Sequence, residues 1–152
     1  MTTQTTPVRP VSTLRSRLGT DAQRLDLALA LLRGVVGLVF LAHGLQKLLV
    51  FSLGGTADAF AQMGVPLPPL TAPLVAFVEL IGGAALISGF LTRLFAGLLS
   101  VDMLGATLLV HLKAGFFMPN GVEFTLSLLG LCLALVLLGG GRYAGDVLLR
   151  RD

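Results

Sequence analysis

The sequence has little cysteine and little charge. Its single cysteine, Cys132, lies inside an apolar run. One thiol excludes a disulfide within the chain and any C-x-x-C redox motif. Redox chemistry would therefore need a bound cofactor or a partner, and Cys132 reads as a small packing residue. There is no cysteine cluster, haem-ligand pair or flavin motif, and no phosphate-binding loop follows a strand. No His or carboxylate pair has the helical i, i+4 spacing of a metal site, so no metal is expected. Charged residues make up 12% of the 152, against 55% hydrophobic, and mean hydropathy is +0.89. That balance excludes an ordinary soluble domain of this size. The pI near 9.8 does not indicate nucleic acid, because the basic residues lie at the ends of apolar runs rather than in one patch.

What is present is a series of long apolar segments. Residues 1–23 form a polar head with Pro7, Pro10 and Gly19, expected to have little fixed structure. A cleaved signal peptide fits less well than a retained anchor. The first apolar run is long for one, and Phe40 stands where cleavage after Ala42 wants a small residue. A domain over 24–141 then carries four expected transmembrane helices, about 26–49, 73–88, 92–111 and 122–138. Residues 56–63 read as a short interfacial helix ended by Gly64 and prolines. Pro73 suits a helix first turn, and Gly89 a C-terminal cap. The tight link 89–92 makes the second and third helices an antiparallel hairpin. Residues 142–152 form a polar tail. The fold class is all-α, an integral membrane four-helix bundle. Four spans put both termini on one side, together with Arg9, Arg15, Arg17, Arg24, Arg93, Arg142, Arg150 and Arg151. Only Lys113 and, marginally, Lys47 fall on the other. The positive-inside rule makes the termini cytoplasmic.

The first helix carries Arg33, His43 and Lys47 within or beside the hydrocarbon. Positions 33, 36, 37, 40, 44 and 47 share one stripe, with His43 beside it. Each such charge costs roughly 2.5–3.5 kcal/mol on insertion scales, so this face needs partners. The topology places His43 and Glu79 roughly 9 Å below the outer surface, at 1.5 Å per residue. Lys47, His111 and Glu123 fall in the same outer layer. Arg33 and Asp102 lie deeper and form an expected intramembrane charge network. The structural alternative is that Arg33, Glu79 and Asp102 only register the bundle. The functional one is an acid, a base and an imidazole around the head group of a lipid-soluble molecule. Phe116 and Phe117 read as interfacial anchors.

These residues fall in an order that resembles the DoxX family of small bacterial membrane proteins. The matching elements are Arg33 before Gly37, His43-Gly44-Leu45-Gln46-Lys47, Gly64 with Pro66, and Glu79 with Gly82-Gly83. Gly89-Phe90-Leu91-Thr92-Arg93 follows, then His111 before Gly115-Phe116-Phe117, Gly121 with Glu123, and Gly139 to Asp146. The resemblance covers about 24–146. It implies a four-helix protein of the bacterial inner (plasma) membrane. Family members are linked to quinone-related or thiol-related redox processes, often as partners of soluble oxidoreductases. The DoxD-type subunit of thiosulfate:quinone oxidoreductase is a relative. No catalytic residue set carries over.

The leading expectation is a quinone-linked membrane subunit without an electron carrier of its own. His43, Lys47, Glu79, His111 and Glu123 would be its ligand site, and a soluble oxidoreductase its electron source. One alternative is a scaffold that docks a soluble enzyme through its tails and loops. Another is a homo-oligomeric solute or proton conduit lined by Arg33, Asp102 and Glu79.

Overall fold

The computed structural model describes residues 11–150. Helix α1 runs Val11–Leu45 and continues through one π-helical turn, Gln46–Val50. Helix α2 is Ser52–Met63, α3 is Pro68–Ser88, and α4 is Thr92–Gly105. A second π-helical stretch, Ala106–His111, and a 3₁₀ turn, Leu112–Ala114, extend α4. Helix α5 is Glu123–Leu138, and Gly145–Arg150 closes the described chain as a 3₁₀ turn. No strand occurs among the described residues.

The bundle is two antiparallel pairs. Helix α1 packs chiefly on α3 and α4 on α5, and α3 against α4 joins the pairs. Each helix buries a stripe at helical spacing. On α1 it is Leu29, Arg33, Val36, Phe40 and Gly44; on α3 it is Ala72, Ala76, Glu79, Gly83 and Leu86. On α4, Ala96, Leu99 and Met103 are buried, and on α5 Thr125, Leu128, Cys132 and Leu135. The core joins Val36, Phe40, Leu86, Leu99, Cys132 and Leu135. Outward-facing Leu31, Val35, Leu38, Leu74 and Leu137 are 60–76% exposed, as lipid-facing positions should be. Helix association inside a bilayer relies on close packing, because lipid tails are as apolar as leucine. The α1–α3 pair illustrates this. A methyl group on Gly44 would sit 2.6 Å from the Leu80 nitrogen, and one on Gly37 2.7 Å from the Gly83 carbonyl oxygen.

Three segments, Gly19–Val50, Pro68–Ser88 and Thr92–Ala114, are long and apolar enough to cross a membrane. The fourth, α5, has 16 residues and reaches roughly 24 Å at 1.5 Å per residue, short of a core of about 30 Å.

Several boundaries differ from the sequence reading. Residues 11–23, expected to lack fixed structure, are the first turns of α1; residues 1–10 of that head, and 151–152 of the tail, lie outside the described residues. The interfacial helix α2 starts four residues earlier than expected. Helix α3 starts at Pro68 instead of 73. Leu67, with φ +49°, turns the chain, and its carbonyl accepts from Leu70 N (2.9 Å) and Thr71 N (3.0 Å). Pro68 and Pro69 then fill the first positions, where a missing N–H loses nothing, and Pro73 lies inside the helix. Nor does the tail simply hang in solvent: Ala144 is buried, and Tyr143 and Asp146 bond back onto the bundle.

Candidate functional site

Glu79 sits in the inward stripe of α3, eleven residues from its start, or roughly 16 Å along the axis at 1.5 Å per residue. The earlier helix start thus buries it deeper than the sequence indicated. The glycine contacts at 37, 44 and 83 bring α1 against α3, which lets Lys47 reach Glu79. Lys47 Nζ donates to Glu79 Oε2 at 2.5 Å, with side-chain exposures of 16% and 5%. Lys47 belongs to the π-helical turn, where Phe51 N bonds back to the Gln46 carbonyl (3.1 Å). Such turns recur at functional sites. Thr56 of α2 donates to the Lys47 carbonyl at 3.2 Å, tying the interfacial helix to this turn.

Asp102 of α4 lies within electrostatic reach of the pair. Its electrostatic neighbours are Glu79 and Lys47, and its Oδ2 is buried without a hydrogen-bond partner. Cys132 of α5 is buried in the core and lies within electrostatic reach of Asp102. His43, one turn before Lys47, stacks at a tilt against Phe124, with ring centroids 6.0 Å apart and planes at 49°. The interior therefore holds one ammonium, two carboxyl groups and, beside them, an imidazole. An orphaned buried acceptor normally costs roughly 1–3 kcal/mol, and Asp102 Oδ2 is one of three buried side-chain polar atoms without a partner among the described residues, with Arg33 Nε and Thr92 Oγ1.

The other expected site residues serve elsewhere. His111 Nδ1 lies 2.7 Å from the Asn120 carbonyl, and since a carbonyl only accepts, Nδ1 donates. Glu123 Oε1 accepts from Met118 N at 2.7 Å. Both bonds shape the loop between α4 and α5, and neither residue joins Lys47 and Glu79. Thr107 Oγ1 donates to Thr125 Oγ1 (2.9 Å) and fastens α4 to α5 just below that loop. Sequence reasoning passed over this clasp, although a hydroxyl on each inward stripe was its signal.

Arg33 does not form a network with Asp102. It sits at the other end of the bundle, where Nη1 donates to the Leu86 (3.2 Å) and Ile87 (2.8 Å) carbonyls and Nη2 to the Tyr143 carbonyl. The first two are unpaired carbonyls of the last turn of α3, which a cation satisfies well. Ile87 is eight residues from Glu79, so Arg33 and the Lys47 cluster are roughly 12 Å apart along α3. Gly89 beside it has φ +77°, and a methyl there would come within 2.6 Å of both Arg33 Nη1 and Ala144 Cα. Asp146 completes this end: its oxygens accept from Leu91 N (2.6 Å) and Thr92 N (3.1 Å), capping α4. The sequence elements around Gly89 and around Gly139–Asp146 are thus two halves of one structural joint. Among the described residues, no three His, Cys, Asp or Glu side chains converge as metal ligands.

Known proteins resemble the chain over much of its length. The family model described as DoxX matches residues 28–112, more than half of the chain. CatD of Bacillus subtilis (strain 168), whose name reads "Putative oxidoreductase", is 34% identical over 110 residues, covering 72% of this chain and 79% of its own length. An "Uncharacterized membrane protein" of Mycobacterium tuberculosis is 34% identical over 126 residues, covering 76% and 77%. The "Inner membrane protein YphA" of Escherichia coli is 29% identical over 124 residues, covering 78% and 87%. No solved structure matches at a significant level.

Proposed function

The chain belongs to the DoxX family of membrane proteins, and on that premise we propose that it is the quinone-binding membrane subunit of an oxidoreductase. It works as a multi-pass protein of the bacterial inner membrane, in line with the relatives' names. The observation that carries the reading is the buried Lys47–Glu79 pair beside the unpartnered Oδ2 of Asp102. A quinone head group needs a donor for its carbonyl, an acceptor for its reduced hydroxyl, and a proton source. Lys47 Nζ fits the first need. Asp102 Oδ2, with no partner of its own, fits the second. Glu79 holds Lys47 in place and is the group that passes protons between the cluster and the outer interface. His43 of α1, against Phe124 of α5, lies one turn from Lys47. A bound quinone supplies two-electron redox chemistry; the chain supplies position, proton exchange and an apolar surround. Electrons come from a soluble oxidoreductase, because the sequence holds no carrier motif. The name of CatD supports the redox reading.

The test is extraction of the protein purified in mild detergent, beside Glu79→Gln, Lys47→Met and Asp102→Asn. Near-stoichiometric quinone in the parent, lost in the variants while they stay folded, is the expected result. A parent that carries no quinone and takes none up on addition would refute the proposal and direct work to enzyme docking.

A further inference from the structure

At the end of the bundle opposite Lys47, where α4 begins and α5 ends, there is a cleft of about 280 Å³. Arg93 and Arg142 line its polar side, Leu138 and Val147 its apolar side, and the glycine turn 139–141 its base. Asp146 also borders it, but both its carboxylate oxygens are engaged by the Leu91 and Thr92 N–H groups. Asp26 Oδ1 likewise accepts from Arg142 N at 2.9 Å. The acids here are committed to backbone, while the arginine side chains are exposed. Arg93 spends one contact, to the Leu137 carbonyl at 3.3 Å, of a guanidinium with five donors.

The base of the cleft suits close approach by a ligand. Residues 139–141 have no side chains, and a methyl on Gly139 would lie 3.2 Å from Arg93 Nε, so the glycine lets the guanidinium lie across the turn. Beneath Gly140 the hydroxyl of Thr92 is buried without a partner. The volume is at the low end for ligand sites, roughly 300–1,000 Å³, which fits a head group and not a whole lipid. Leu94, Leu137 and Leu138 next to it are 54%, 76% and 53% exposed and offer a surface for acyl chains. A forked cation matches two oxygens of a phosphate, and basic pockets between membrane helices at one face take anionic head groups.

We propose that this cleft is a binding site for the phosphodiester head group of an anionic phospholipid, held by Arg93 and Arg142. It is independent of the quinone reading and lies at the other end of the bundle. The test titrates the full chain, in an uncharged detergent, with short-chain phosphatidylglycerol and reads adducts by native mass spectrometry. Short-chain phosphatidylcholine and inorganic phosphate are separate arms. One saturable phosphatidylglycerol adduct is expected, weakened about fivefold in Arg142→Gln and again in Arg93→Gln. Lys113→Gln, at the outer end, should bind as the parent does. Arg93→Lys, which keeps the charge but loses the fork, should fall between parent and Arg93→Gln, and a circular-dichroism melt checks that each variant is folded. Equal binding of the zwitterionic lipid, or undiminished binding in the folded arginine variants, would overturn the proposal. Displacement of the lipid by equimolar inorganic phosphate would overturn the lipid assignment, leaving a free-phosphate site.

Discussion

Lys47 and Glu79 are 32 positions apart in sequence and 2.5 Å apart in space. A buried pair of this kind is costly to break from one side, roughly 3–5 kcal/mol, because the remaining charge is left without a partner. Lys47→Met alone should therefore destabilise the protein by about that much. Lys47→Met combined with Glu79→Gln should recover most of the loss, as read from thermal melts in mild detergent. Asp102 should behave in the opposite sense. Its buried Oδ2 has no partner, so Asp102→Leu removes an unsatisfied group and should stabilise the fold by roughly 1–3 kcal/mol. The same change should abolish quinone retention; a variant both destabilised and still loaded would mean that Asp102 is a structural residue. At this scale the sequence was partly legible. The apolar surroundings marked all seven polar residues as exceptional. They could not reveal which ones meet, because a helix face is read to within a turn and a hydrogen bond is set to a few tenths of an ångström. His111 and Glu123, expected in the same layer as Lys47, bond within their own loop.

Elements obey coarser rules, and they were easier to anticipate. The stripe 33, 36, 37, 40, 44 of α1 is buried as its spacing requires. Small residues on α3 permit close helix approach, and Gly83 is one that α1 uses, while Gly82 faces Leu99 of α4. Gly44→Val should force α1 and α3 apart and cost about 1–3 kcal/mol, the usual range for overpacking. Quinone retention should fall with it, since Lys47 would be carried away from Glu79. The ends of elements were harder to foresee. Two prolines read as loop residues begin α3, and Leu91 starts α4 with φ +48°. A left-handed leucine costs roughly 1–2 kcal/mol, while glycine gives back roughly 0.5–1 in backbone entropy. Leu91→Gly should therefore stabilise by about 0.5–1 kcal/mol in the same melts. The carboxylate of Asp146 holds this strained turn from 55 residues away, and no local pattern around Leu91 could have announced it.

For the whole molecule, the sign and position of charge carry the argument. The helical membrane fold and its number of apolar segments were legible from hydropathy alone. The marginal length of α5, at 16 residues, was visible too. Arg93 and Arg142 gather at one end of the bundle and Lys113 lies at the other. By the positive-inside rule the arginine end is expected to face the cytoplasm. An alkaline phosphatase fused after Asp152 should accordingly be inactive and a green fluorescent protein bright; the reverse pattern would invert the topology. What hydropathy could not supply was the packing order of the helices. That order depends on where glycines permit contact, and it decides that Lys47 meets α3.

The clamp around Arg33 bears on how the chain is made. Arg33 is among the first residues of the bundle to leave the ribosome, and the Tyr143 carbonyl it binds lies 110 positions later. The carboxylate that caps α4 arrives later still, at Asp146. Until Tyr143 and Asp146 have been made, the hairpin of α3 and α4 has an open end and an arginine without its full set of acceptors. Residues 143–146 close that end. A chain cut before Tyr143 keeps helices α1 to α5 and lacks that latch.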